Sequence, residues 1–278
     1  VGRPAILVPL PIATDDHQAA NARELSKSGG ARMIRQERFT GKELAKQIKA
    51  LAENPQAIAN FMREAQAAAK LNHPNIVTVY DTGEQQGRYY IAMEYVEGTT
   101  VKEILRRRGA ISPSGILHVL VQICEALSYA HEKKVVHRDI KPANVMVAHS
   151  THAKLADFGL AKRLAKSPAP NVLLSGTPSF MAPELFAGTA ASRASDIYAV
   201  GVTYFSLLTG QLPFAAQSLN ELVKLHAREP SFALSTIAPQ VPPKILELVE
   251  RCLAKNPKDR YEDAGALGLA LRDVFGSM

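Results

Sequence analysis

The chain has 278 residues, 46% of them hydrophobic and 21% charged, enough apolar side chain for a large core, which excludes disorder as the principal state. Its net charge of +7 favours an anionic partner, whether nucleotide phosphate, nucleic acid or acidic lipid, without identifying it. Two cysteines, Cys124 and Cys252, exclude a disulfide scaffold and a four-ligand zinc site and fit a reducing cytosol.

In chain order, the first third alternates strand and helix in the manner of an α/β segment. Residues 4–10 form an apolar strand bounded by prolines, 15–27 a helix stopped by Gly29 and Gly30, and 31–36 a second strand. Thr40 and Glu43 have capping-box spacing ahead of Leu44, Ile48 and Leu51, and Asn54-Pro55 opens a further helix through Ile58 and Phe61 to Leu71. Beyond His73, residues 76–81 and 89–96 alternate as a hairpin around a turn at 83–87. After Gly98 the pattern predicts helices almost throughout. Ser112-Pro113 opens one with Ile116, Leu117, Leu120, Ile123, Cys124 and Leu127 on one side, and others follow at 195–209, 219–226, 243–254 and 263–274. Arg106, Arg107 and Arg108 read as a solvated helix end, where cations favour the dipole, so no nucleic acid is expected. No apolar run approaches the roughly 20 residues that span a bilayer. The chain opens on Val1 with no visible signal peptide, which reads as a piece of something longer.

The chemistry is concentrated in His137-Arg138-Asp139-Ile140-Lys141-Pro142-Ala143-Asn144, which fills the pattern H-R-D-x-x-x-x-N. Asp157-Phe158-Gly159, Gly176 through Ala182-Pro183-Glu184, and Ser195-Asp196 through Gly201 follow in order. On these motifs, residues from about 61 to 278 resemble a bacterial Hanks-type serine/threonine protein kinase. The resemblance implies an α+β fold, protein-kinase-like, with a largely helical C-lobe and a truncated or replaced N-lobe. It implies ATP and Mg2+ as cofactors and a protein substrate with a Ser or Thr acceptor. Asp139 is then the base that orients the acceptor hydroxyl, Lys141 reaches the transferred phosphate, and Asn144 and Asp157 hold magnesium through oxygen. Glu64 matches the glutamate that pairs with the ATP-anchoring lysine. Met93, Glu94 and Val96 match the hinge, and Met146 the floor of the adenine site. The resemblance further implies that Thr177 ties the substrate loop to Asp139 and Lys141, and that Asp196 accepts hydrogen bonds from the catalytic-loop backbone. By the same resemblance Glu184 and Arg260 are expected to form a buried ion pair, and His137 and Phe158 to pack in the lobe's interior. Ser167, Ser175 and Thr177 are candidate phosphosites that a phosphate-binding Arg138 would read.

The same resemblance breaks upstream. No G-x-G-x-x-G precedes Glu64, and Lys46 and Lys49 sit in the helical run of Leu44, Ile48 and Leu51 rather than in a strand. Gly2 through Pro11, followed by Asp15-Asp16-His17-Gln18-Ala19-Ala20-Asn21, instead resembles the C-terminal part of the peptidoglycan glycosyltransferase that uses UDP-N-acetylglucosamine. In that family the residue at Gln18 contacts the sugar, but the rest of the nucleotide site lies upstream and is absent here. The organisation is therefore read as 1–60, an α/β glycosyltransferase tail; 61–97, a kinase N-lobe remnant; and 98–278, a kinase C-lobe. The chain is expected to be cytoplasmic and kinase-like, with activity impaired by the missing loop and lysine. A non-catalytic pseudokinase or interaction module and an inert chimeric fusion are the alternatives. A membrane tether beyond Met278 and the oligomeric state are left open.

Overall fold

The computed structural model describes residues 5–7, 31–33, 66–85, 88–109, 111–148, 152–158, 178–216, 218–228 and 241–276. The readings made on the helices at 15–27 and 40–51, on Gln18, Lys46, Lys49 and Glu64, and on Ser167, Ser175 and Thr177 lie outside the described residues.

Strand β1 (Ala5–Leu7) pairs in parallel with β2 (Ala31–Met33), Ala5 opposite Ala31. Both fall where apolar runs predict strands, and they form a two-stranded sheet of their own. A second sheet is the hairpin of β3 (Val79–Gln85) and β4 (Arg88–Met93), which pairs from Val79 opposite Met93 to Gln85 opposite Arg88. The ladder runs nearer the tip than alternation predicts. Gly83 reads as a turn residue, yet it lies inside β3 opposite Tyr90, where a Cβ would stand 2.7 Å from Tyr90 Oη. The glycine makes room for the ring rather than for a turn.

The expectation that nearly everything past Gly98 is helical needs correction. Strands β5 (Gly98–Thr100), β6 (Val145–Ala148) and β7 (Ala153–Leu155) form an antiparallel sheet in that order. Strands of three or four residues are too short to announce themselves by alternation. Helix α1 (Val101–Arg108) follows β5 directly and starts at a capping box, Glu103 N–H donating to Thr100 Oγ1 and Thr100 N–H to Glu103 Oε2.

The core lies among the long helices. Helix α2 (Pro113–Glu132) buries the stripe expected from its spacing, together with Ala126, Ala130 and His131. After the short α3 (Pro183–Phe186), helix α4 (Arg193–Thr209) is buried over its whole length from 195 to 208, which places it at the centre of the domain. Helix α5 (Leu219–Arg228) follows it, then α6 (Pro243–Cys252) and α7 (Ala264–Phe275). Helix α6 packs on α4, and α7 on α2. At Gly201 a Cβ would lie 2.6 Å from Cys252 Cβ, so the absence of a side chain is what lets α4 and α6 touch. Cys124 and Cys252 are both buried in this core, and burial pushes the Cys252 thiol up to about 12; they pack rather than react. Among the described residues, no helix is long and apolar enough to cross a membrane.

Candidate active site

The loop before β6 is held from beneath by one carboxylate. Asp196, in the first turn of α4 and 1% exposed, accepts the His137 N–H at 2.8 Å, the Arg138 N–H at 2.9 Å and the His131 ring Nε2–H at 2.9 Å. Arg138 between these anchors has φ 71, a left-handed conformation costing a non-glycine residue about 1–2 kcal/mol. The surrounding hydrogen bonds over-determine it. His137 is the second brace. Its Nδ1 accepts the Asp139 N–H at 3.2 Å, so its proton sits on Nε2 and is donated to the Ala156 carbonyl at 3.0 Å. Burial lowers its pKa against the raising effect of Asp196, which keeps the ring neutral. The ring also packs on Phe158, with centroids 4.6 Å apart.

On this frame Asp139, Lys141 and Asn144 converge. Lys141 Nζ donates to Asp139 Oδ2 at 2.8 Å, and Asn144 Nδ2 donates to the same oxygen at 3.2 Å and to the Asp139 carbonyl at 2.7 Å. Asn144 is buried at the end of the 3-10 turn Pro142–Asn144, whose proline start suits a tight turn. Asp157 joins through the backbone, because the Ala156 N–H donates to the Asn144 carbonyl at 2.8 Å. Asp157 has φ 62, a second left-handed residue in the same site. It lines a concavity with Ala68, Ile76, Val79, Met93 and Phe158. Asp139 lines another with Arg138, Phe180, Met181, Leu185 and Ala199.

Of the residues matched to the hinge and floor, Met93 lines the first concavity. Met93 ends β4 and is 41% exposed, Val96 is half-buried, and Met146 lies on β6 opposite Thr100 and Lys154. The Glu94 side chain is committed to the protein: Lys154 Nζ lies 2.8 Å from Oε1 and the Thr78 N–H donates to Oε2 at 3.1 Å. Burial opposes ionisation, but these partners outweigh it and hold the Glu94 carboxyl below its ordinary range.

The donor set suits magnesium. With Asn144 Nδ2 turned to Asp139, its Oδ1 is the atom left to a cation. That oxygen and the Asp157 carboxylate are the hard ligands Mg2+ takes, in small number, alongside phosphate oxygens and water. Among the described residues, no group of three or more His, Cys, Asp or Glu side chains could hold a metal on its own.

Two supporting features stand away from the loop. Arg260 meets Glu184 in a bidentate pair at 2.7 and 2.9 Å, and three backbone carbonyls, of Ala254, Ala194 and Lys255, accept its remaining N–H groups. His226 is fully buried on α5 beside Phe186, Tyr198 and Phe214, with its Nδ1 2.8 Å from Tyr198 Oη. Burial, aided by the positive charge of Lys255, lowers its pKa to about 3. Sequence reasoning missed His131, His226 and Lys154. Lys154 had a signal: it is the one charged residue in the otherwise apolar run Ala153-Lys154-Leu155-Ala156.

The family model for the protein kinase domain matches residues 28–268. The chain is 37% identical over 225 residues to the serine/threonine-protein kinase PrkC of Bacillus subtilis, covering 81% of this chain and 35% of the relative. It is 38% identical over 224 residues to the serine/threonine-protein kinase PknB of Mycolicibacterium smegmatis, covering 78% and 36%. The chain thus spans little more than a third of the length of these relatives. Among solved structures, that of Rad53 1–466 in complex with AMP-PNP matches with a TM-score of 0.67 at 26% identity, over 79% of this chain and 55% of that one.

Proposed function

The chain belongs to the protein kinase domain family, and on that premise we propose that it transfers a phosphoryl group from ATP to Ser or Thr hydroxyls of a protein, more slowly than an intact relative. The observation that carries this reading is the convergence of Lys141 and Asn144 on Asp139 Oδ2. Asp139 accepts a hydrogen bond from the acceptor hydroxyl and orients it. Lys141 stands beside the same oxygen, where its ammonium offsets negative charge on the group in transit. Asn144 Oδ1 and Asp157 would hold Mg2+, which supplies charge neutralisation for the phosphates. Met93, Val96 and Met146 would border the adenine. The backbone of Glu94 would do so as well, since its carboxylate is engaged elsewhere, and Glu64 is assigned to the lysine partner's place.

The reduced rate is expected from the sequence. With no G-x-G-x-x-G ahead of Glu64, and with Lys46 and Lys49 read from the sequence as helical and not strand-borne, the phosphates would lose preorganised contacts, each worth on the order of 10² to 10³ in rate. The same absence favours the second reading, a pseudokinase or interaction module. Phosphate transfer from Mg-ATP to a generic Ser/Thr protein substrate distinguishes the two. Slow transfer that falls a further ~10² to 10⁴ in Asp139→Asn supports the kinase. Transfer indifferent to that substitution, or none above background, supports the second reading.

A further inference from the structure

We infer that Glu94 and Lys154 form a latch that positions the chain segment around 93–96 against the strand carrying Asp157; its role toward nucleotide rests on the kinase reading above. The contacts close a ring. Leu155 accepts the Val77 N–H at 3.0 Å, and its own N–H donates to the Asn75 carbonyl at 2.8 Å. One residue on, Thr78 and Glu94 are joined twice, by the Glu94 N–H on the Thr78 carbonyl at 2.8 Å and the Thr78 N–H on Glu94 Oε2 at 3.1 Å. Lys154 Nζ returns to the Glu94 carboxylate at 2.8 and 3.0 Å. Lys154 is bonded to Leu155, so the ring is complete.

The consequence is mechanical. The backbone bonds hold 94 to Thr78, beside the Val79–Met93 pair of the hairpin ladder, and reach Leu155 only through the 77–78 link, the pivot between the two. The Lys154 bond supplies a second attachment on the other side of that pivot, 60 residues away in sequence. The pair is 15% and 22% exposed, so it is screened less than a surface ion pair and its hydrogen bonds are charge-assisted. Two residues beyond Lys154 the Ala156 N–H holds Asn144, and Asp157 follows. The latch therefore sets the span between Met93 and Asp157, which line one concavity. Lys154 acts through Glu94 and is a positioning residue.

The test compares Lys154→Met, Lys154→Arg and Glu94→Gln in the full chain by two readouts: amide exchange at Thr78, and calorimetric affinity for Mg-AMP-PNP. Exchange at Leu127, inside the buried helix α2, reports whether each variant is folded. The latch predicts about tenfold faster exchange at Thr78 in Lys154→Met, restored in Lys154→Arg, with Leu127 unchanged. It also predicts roughly tenfold weaker nucleotide binding in Lys154→Met and recovery in Lys154→Arg. Unchanged exchange at Thr78 in folded Lys154→Met overturns the latch, and so does unchanged affinity in a chain that binds nucleotide. If the unsubstituted chain binds no nucleotide, the kinase reading fails, while the Thr78 exchange still decides the latch.

Discussion

The loop at 137–144 and the hairpin of β3 and β4 both border the candidate site, and they are built in opposite ways. The loop is irregular, carries a left-handed Arg138, and is gripped from below by a carboxylate on the most deeply buried helix. The hairpin is regular but for a register shift between Val79 and Asp81, pairs only with itself among the described strands, and exposes Tyr80 at 68% and Tyr90 at 41%. Regularity of backbone and firmness of support are thus separate properties. Isolated two-stranded hairpins are marginal in water, whereas an irregular loop becomes rigid when every backbone group it exposes is met by a buried partner. The groups proposed to react sit on the firmly held side.

The largest effect should come from the helical side, at its buried ion pair. Glu184→Ala leaves the Arg260 guanidinium, whose side chain is 0% exposed, without its opposite charge. Removing one partner of a buried pair costs about 3–5 kcal/mol. Urea unfolding followed by far-UV circular dichroism should show a midpoint lowered accordingly. A loss under about 1 kcal/mol, the range of exposed pairs, would mean that the helical part does not depend on this pair.

The site was legible in the sequence to the extent that its parts are neighbours there. Asp139, Lys141 and Asn144 lie within one turn of chain, so the local spacing alone brings them to one oxygen. Asp196 could be placed as the acceptor for the loop's N–H groups because its motif is as recognisable as the loop. Its third partner, His131, could not, since nothing in the helix pattern separates a histidine stacked in the core from one reaching a carboxylate. The pairing of Lys154 with Glu94 was opaque for the same reason: it exists only once β7 and the chain after β4 come together. The helices α2 and α4 through α7 were visible from their apolar pattern and their start and stop residues, while β5, β6 and β7 were too short to be. The pattern misplaces the hairpin's turn because Gly83 reads as a breaker, when its smallness serves the ring of Tyr90.

A smaller effect, again on the helical side, should appear with acid. His226 titrates near 6.5 when unfolded and at about 3 when folded. The folded state therefore refuses a proton that the unfolded chain takes. Its contribution is fully present above pH 6.5 and falls as pH drops from there towards 3, at up to about 1.4 kcal/mol per pH unit. Urea midpoints measured from pH 7.5 to 4.5 should decline more steeply in the unsubstituted chain than in His226→Gln. Parallel declines would show that the aromatic nest around α5 opens readily enough to protonate His226.

The smallest effect belongs to the hairpin and sharpens the contrast. Tyr90 Oη donates to Asp81 Oδ2 at 2.9 Å across the two strands, at a site open to solvent. Water can replace that hydrogen bond in Tyr90→Phe, so little free energy is lost. The hairpin is one of the segments with few buried contacts, and such segments open locally at a cost below that of global unfolding. Tyr90→Phe should therefore speed amide exchange at Thr82, whose partner across the ladder is Ile91, and leave the global unfolding midpoint within error. A midpoint shift approaching that of Glu184→Ala would show instead that hairpin and helices unfold as one unit, and that the loop's firm anchorage extends to the strands above it.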